Sequence, residues 1–347
     1  MNSRYRLLLA LVPMVLMTLV ACIEEFELSD DGTRVLVVDG GVAIGPGRQQ
    51  VEVGLSNGLA DRFTSLQNID VWVDDLTTGE VYRFSYLPDT GYVAAFTGEY
   101  GHVYRLRVDA GVYGSFTSTP DSLAAASFAL NVTTDVQRRA DRDGNNQARN
   151  FMVSRVTLTT LQGSTEAEIL LLQPGFAWSY TDLICGPFDI AQTCYFEDRP
   201  VTQPFVLVEL DQLERGDTAS FSIGAQFIDF RMAESSVSIV EGTRRSAGAA
   251  PYFRAINAAV NQGGSPFTER AQLVVGNMSG SNDDELMYGY FGVYEEINEY
   301  AAVDNPDVRS RSGPPLCNGA VRQGQTYNCC DCGSVEGAMP VRPSYWP

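Results

Sequence analysis

The sequence predicts an all-β protein: an N-terminal immunoglobulin-like or transthyretin-like sandwich, followed by a second β-rich domain with one short helix. Three observations carry that expectation. Apolar residues recur with a period of two along most of the chain, which is the spacing of a half-buried strand. Turn residues interrupt these runs roughly every 8 to 12 positions, the rhythm of a sandwich. Helical spacing is convincing in one segment only, Pro251 to Asn261.

The strands read in order. Arg34 to Gly41 is β-rich and stopped by glycines, and Gln50 to Leu55 alternates polar and apolar residues. Ile69, Val71 and Val73 alternate with Asp70, Trp72 and Asp74 before a turn at Asp75 to Gly79. Val81 to Tyr86, Tyr92 to Phe96, Val103 to Val108 and Val112 to Phe116 follow, separated by turns at Pro88 to Gly91 and Asp109 to Gly111. These short runs place the first sandwich over 33–120. Residues 121–150 break the rhythm: Leu123 to Leu130 is Ala-rich, Arg138 to Asn150 is polar without apolar periodicity, and the segment reads as a linker or loop. The remainder, 151–347, reads as a β-rich C-terminal domain with a disulfide-stabilised tail. Its strands are Phe151 to Leu161, Glu166 to Leu172, Phe205 to Leu210, Ser220 to Phe230, Gln272 to Val275 and Met287 to Tyr294. In the helix, Tyr252, Ile256 and Ala259 share a face and Gly263-Gly264 stops it.

The amino terminus sets the compartment. Arg4 and Arg6 precede an apolar run from Leu7 to Val20, and Leu19-Val20-Ala21-Cys22 closes it. A positive start, a short apolar core and a small residue before the cut are signal-peptide grammar. The run is shorter than the ~20 residues of a membrane span. The closing tetrapeptide matches the lipobox of bacterial lipoproteins, so residues 1–21 are expected to be removed and Cys22 to carry lipid through its thiol. Chains of buried methylenes, each contributing about 0.8 kcal/mol, then hold the protein on the membrane. Residues 22–32, with Glu24, Glu25, Glu27, Asp30 and Asp31, form an acidic tether.

Charge excludes one class of partner. The net charge is −19, from 24 cations against 43 acids, and every cation is arginine. Such a surface repels phosphate backbones, so nucleic acid is not an expected partner. It repels anionic headgroups as well, which leaves the lipid as the membrane attachment.

Besides Cys22 there are six cysteines, Cys185, Cys194, Cys317, Cys329, Cys330 and Cys332. An even number in an exported chain favours disulfides, and six allow 15 connectivities. The preferred pairing is Cys185–Cys194, with the C-terminal four making two more; a vicinal Cys329–Cys330 bond would be strained, so Cys317 takes one of that cluster. The rival is zinc, because Cys329 and Cys332 have C-x-x-C spacing, although zinc needs reduced thiolates.

Catalytic chemistry is sparse. His102 is the only histidine, which argues against a Ser-His-Asp triad or a multi-histidine metal centre, and a turn or packing role is expected of it. Asp141, Asp143 and Asn145 alternate as calcium ligands do, but Met152 stands where a bidentate Glu is needed, so a polar turn is the better reading. Asn282 to Glu285 and Glu295-Glu296 cluster carboxylates of the kind a glycosidase uses, without fixing their separation. No P-loop or dinucleotide fingerprint occurs. The chain reads as a non-enzyme with no cofactor.

Several short pieces occur in a familiar order: the acidic post-cysteine tether, Leu36-Val37-Val38-Asp39-Gly40, Gly91-Tyr92, Tyr104-Arg105-Leu106, Gly276-Asn277, Gly289-Tyr290-Phe291, Cys329-Cys330-Asp331-Cys332 and Pro343-Ser344-Tyr345-Trp346. Together they resemble the domain-of-unknown-function 4249 family of Bacteroidota outer-membrane lipoproteins over nearly the whole mature chain. The doubled cysteine and the lack of a Gly-Gly turn before the terminal proline depart from that pattern. The tether itself resembles surface-export signals of such lipoproteins. The resemblance implies an outer-membrane, surface-exposed lipoprotein that serves as accessory or ligand-binding partner of a TonB-dependent nutrient transporter. The alternative is a structural or adhesive envelope lipoprotein, and a carboxylate-dependent hydrolase comes third. The family offers no catalytic residues to carry over.

Overall fold

The computed structural model describes residues 34–57, 63–125, 128–140, 148–161, 168–182, 191–198, 205–210, 214, 216–261, 274, 276–280, 287–317 and 332–347. In chain order the strands are β1 (Arg34–Ala43), β2 (Gly45–Asn57), β3 (Phe63–Ser65), β4 (Asp70–Asp75), β5 (Val81–Arg83), β6 (Ser85–Leu87), β7 (Gly91–Gly98), β8 (Tyr104–Asp109) and β9 (Ser115–Ser118). Then come β10 (Phe128–Ala140), β11 (Ala148–Thr160), β12 (Ile169–Thr181), β13 (Thr193–Asp198), β14 (Val206–Glu209), β15 (Thr218–Phe227) and β16 (Ser235–Arg245). The helix α1 (Ala250–Asn261), β17 (Met278–Gly280), β18 (Met287–Ala302) and the helix α2 (Pro306–Arg311) follow.

One ten-stranded sheet runs through the molecule in the order β13-β12-β16-β18-β1-β2-β7-β6, with β14 beside β12 and β3 beside β2. Two smaller sheets stack on it. The five-stranded β17-β9-β8-β4-β5 closes the first sandwich, and the three-stranded β10-β11-β15 closes the second. The alternation legible in the sequence is what makes this work. Leu36 and Val38 of β1 and Val51, Val53 and Leu55 of β2 point to one face. They meet Val71, Val73, Leu106 and Phe116 across the first core. Burying each such side chain contributes about 1.5–3 kcal/mol. Val156, Leu158, Leu170, Leu172, Val240 and Ile297 fill the second core.

β18 joins the two halves. Its first part, Met287 to Tyr294, pairs in parallel with β1, and its second part, Tyr294 to Ala302, pairs antiparallel with β16. Phe291 and Val293 of this strand lie in the first core, and β17 completes the five-stranded sheet against β9. The first sandwich is therefore not built from residues 33–120 alone. Gly289 of β18 faces β1 with φ +106°, and a Cβ there would lie 1.7 Å from the Val38 carbonyl oxygen, so only glycine permits the close approach.

β12 shows why a continuous apolar run forms a strand. Leu170 and Leu172 face the second core, while Ile169 and Leu171 pack beneath α1 with Ala250 and Phe253. A strand covered on both faces has no polar side to show. Pro174 stands in the middle of β12, at the gap between its β14-paired residues 169–172 and its β13-paired residues 176–181. No ladder bond on that edge needs the amide hydrogen that proline lacks.

Some expectations are corrected. The segment 121–150, read as linker or loop, holds β10 and the start of β11, paired from Phe128↔Thr160 to Ala140↔Ala148. β10 is an edge strand with Arg138 and Arg139 exposed, so its outer half carries no buried stripe to betray it. The strand expected over Val112 to Phe116 begins only at Ser115, because Gly111–Tyr113 is a 3-10 turn. The strand expected to Phe230 stops at Phe227. The helix over 251–261 forms as expected, with Pro251 in its first turn. A second helix, α2, was not anticipated; Asn305 caps it by accepting from the Asp307 amide, and Pro306 opens it. Of Gln272 to Val275 only residue 274 is described.

Candidate binding site at the sandwich junction

Arg244 and Arg245 end β16 where it meets the midpoint of β18, and strand alternation sends them to opposite faces of the long sheet. Arg244 turns inward and is completely buried. Its Nη1 donates to Glu168 Oε2 at 2.7 Å, its Nε to Glu295 Oε2 at 2.8 Å, and its Nη2 to the Ala124 carbonyl at 2.6 Å. The Tyr100 and Phe128 rings lie 5.8 and 5.9 Å from the guanidinium carbon. Tyr100 belongs to the first sandwich, Phe128 opens the second, and Glu295 sits on the shared strand. Burial alone would lower the Arg244 pKa, but the bonds to Glu168 and Glu295 raise it above the usual arginine range. This is a strut between the two halves.

Arg245 turns outward into an aromatic cradle. Its guanidinium carbon lies 4.7 Å from the Phe253 ring of α1 and 4.9 Å from the ring of Tyr294, its direct cross-strand neighbour. Tyr252 of α1 stacks on Tyr290 of β18 at 5.2 Å. Nε of Arg245 donates to Thr243 Oγ1 at 3.2 Å, and among the described residues Nη1 and Nη2 have no hydrogen-bond partner. Among the described residues no carboxylate comes within ion-pair distance; Asp39 and Asp121 act on it only through the longer-range field. Burial therefore dominates and lowers its pKa from the ordinary value, although arginine remains charged. Burial likewise pushes the Tyr252, Tyr290 and Tyr294 hydroxyls up, so they remain neutral donors. Gly41 lies beside this ring, where a Cβ would lie 2.1 Å from the Gly292 carbonyl oxygen and 3.0 Å from the Tyr294 ring. A guanidinium fork with unfilled donors beside neutral phenols can accept an anion.

The residues singled out from sequence are mostly elsewhere. Cys22, Cys185, Cys329 and Cys330 lie outside the described residues, as do Asp141, Asp143 and Asn145 of the candidate calcium loop and Asn282 to Glu285. The expected Cys185–Cys194 bond is replaced: Cys194 of β13 is joined to Cys332 of the tail, across 138 residues. β13 pairs with the edge of β12, and the tail returns along it, with Met339 bridging Tyr195. Sequence proximity therefore loses to fold proximity. Cys317 is also disulfide-bonded. With Cys332 oxidised, the zinc alternative loses one of its two C-x-x-C ligands. The sulfurs of Cys194 and Cys332 and a carboxylate oxygen of Asp182 lie within 4.8 Å of one another, but a disulfide offers no thiolate.

His102 bridges two turns. Its Nδ1 is 2.8 Å from Asp75 Oδ2 and its Nε2 is 3.4 Å from Glu99 Oε2. The hydrogen bond to Asp75 raises its pKa. Glu295 and Glu296 alternate to opposite faces of β18, and Glu295 is committed to Arg244 and to the Tyr100 hydroxyl.

The pieces that carried the family resemblance turn out to be pins of the scaffold. The Asn277 carboxamide closes on the Phe291 backbone, donating to its carbonyl at 2.6 Å and accepting from its amide at 3.0 Å. Buried Tyr92 donates to the Leu66 carbonyl, and buried Tyr104 accepts from the Glu99 amide. At the tail, Tyr345 stacks on Tyr300 at 4.6 Å and donates to Glu197, while Trp346 packs on Tyr195.

Fold and junction define an all-β protein of two sandwiches hung on one continuous sheet, with a buried arginine strut on one face and an aromatic arginine cradle on the other. The chain belongs to the family described as domain of unknown function DUF4249, whose profile matches residues 23–299. No curated protein matches it. Among solved structures, a DUF4785 family protein of Legionella pneumophila aligns at 12% identity over 60% of this chain and 52% of its own, with a TM-score of 0.21. The chain thus spans about half the length of that structure. A Bacteroides uniformis protein with a provisional carbohydrate-binding description aligns at 10% identity over 61% of this chain and 91% of its own, with a TM-score of 0.14. Likenesses this distant carry no argument.

Proposed function

We propose that the chain is an outer-membrane lipoprotein, anchored through Cys22, that acts as accessory or ligand-binding partner of a TonB-dependent nutrient transporter. The observation that carries the reading is the amino terminus: a positive start, an apolar run and Leu19-Val20-Ala21-Cys22, followed at once by an acidic tether. No described helix is long and apolar enough to cross a membrane. The cradle around Arg245 supports a binding role over a purely adhesive one, because scaffolding alone gives no reason for a half-buried cation with unfilled donors. Family membership adds no activity.

The test is affinity capture of the native lipoprotein from gently solubilised outer membrane. A β-barrel transporter recovered in a near-stoichiometric amount is the expected result. Capture of the lipoprotein alone, with nutrient uptake unchanged in a deletion strain, favours the structural envelope reading instead.

A further inference from the structure

We propose that Arg245 and the rings around it form a binding site for an organic carboxylate. This deepens the ligand-binding half of the reading above and does not depend on the transporter half.

The argument begins with how the other arginines are used. Arg105, Arg107, Arg155, Arg231, Arg244 and Arg254 are all partly or fully buried, and each has a carboxylate oxygen within 3.5 Å. Arg245 is the exception among the described residues that are not fully exposed. In a chain with 43 acids, a shielded cation left without a carboxylate is a position where the missing partner comes from outside. A partly desolvated charge is costly until it is paired.

Geometry says what the partner is. The Phe253 and Tyr294 rings flank the guanidinium and Thr243 Oγ1 takes its Nε, which leaves both terminal nitrogens without a hydrogen-bond partner among the described residues. Two parallel N–H donors match the two oxygens of a carboxylate. Tyr252 and Tyr294 add neutral hydroxyls with no hydrogen-bond partner among the described residues, and half-buried rings for the ligand's apolar body. Those rings suit the apolar body of an organic carboxylate and offer nothing to inorganic phosphate.

Phenylacetate and its neutral isostere phenylacetamide separate the charge from the ring. Isothermal titration of the detergent-solubilised mature chain is expected to show saturable binding of phenylacetate, at least about tenfold tighter than phenylacetamide. R245M, which keeps the stem between the two rings, is expected to bring that ratio close to one; R245K, which keeps the charge but loses the fork, is expected to fall between. Equal affinity for the two probes, saturation by neither, undiminished phenylacetate binding in R245M, or inorganic phosphate binding as tightly as phenylacetate would each overturn the proposal. The wild-type comparison decides the matter even where a variant fails to fold. Failure here leaves transporter co-purification untouched, and a missing transporter leaves this titration untouched.

Discussion

Replacing Arg244 with methionine removes the cation that two carboxylates share inside the junction. The Arg244 side chain is 0% exposed, Glu168 is 7% exposed and Glu295 is 25% exposed. Truncating one partner of a buried ion pair costs about 3–5 kcal/mol, mostly because the other charge is left unmatched. R244M takes the shared cation away from Glu168 and Glu295 and removes the donor to the Ala124 carbonyl, which puts the expected loss in that range. At about 2 cal/mol/K of unfolding entropy per residue, this lowers the melting temperature by roughly 5–8 °C. Near-UV circular dichroism on heating reads it, with R48M as the control because Arg48 is exposed and such substitutions stay within about 0.5 kcal/mol. Adding E168Q to R244M should recover part of the loss, since it neutralises the more deeply buried of the two carboxylates. If R244M melts with R48M, or if E168Q deepens the loss instead of relieving it, the strut is not what holds the junction.

Two further outcomes follow from the same geometry. C194S opens the bond to Cys332, which spans 138 residues, and should cost about 2–5 kcal/mol; non-reducing peptide mapping of the wild type should recover Cys194 and Cys332 in one linked fragment. The His102–Asp75 pair makes stability depend on pH from both sides. His102 is raised above 6.5 by its hydrogen bond to Asp75, so its contribution is complete below 6.5 and is lost as pH rises through the folded value. Burial alone would raise the Asp75 carboxyl, but bonds from His102, Thr78 and Thr77 hold it below 3.8, so its contribution is present above 3.8 and fades as pH falls through the folded value. Melting curves of wild type and H102Q should converge as the medium becomes alkaline and separate toward pH 5; parallel curves across that window would contradict the pairing.

Strand identity was legible where apolar residues alternate without interruption. Leu36, Val38, Val71, Val73, Leu106 and Val108 alternate because the pleat alternates, and period two survives in any partner arrangement. Partnership was not legible for the same reason: nothing in Leu36 to Gly41 names Met287 to Gly292 as its parallel neighbour some 250 residues on. β16 escaped notice because Ser235, Ser236 and Ser238 dilute its apolar signal, although Ser238 is buried and meets Ser154 Oγ across the sheets at 2.6 Å. The Arg-Arg dipeptide shows the same limit at the candidate site. Its two members look alike in sequence, and only the strand's two faces separate a strut from a cradle. The cysteine pairing failed for a related reason, since nine residues of separation between Cys185 and Cys194 weigh less than a tail folded back onto β13. Family membership holds over residues 23–299, which leaves the tail pieces beyond the match, and the described pieces fix the scaffold and leave function to the surfaces between them.

The proposed role stands on attachment at Cys22, and mass spectrometry of the mature amino-terminal peptide tests it most directly. A peptide beginning at Cys22 and carrying a diacylglycerol thioether is the predicted result. A mature chain that starts at another residue, or begins at Cys22 with an unmodified thiol, would contradict it.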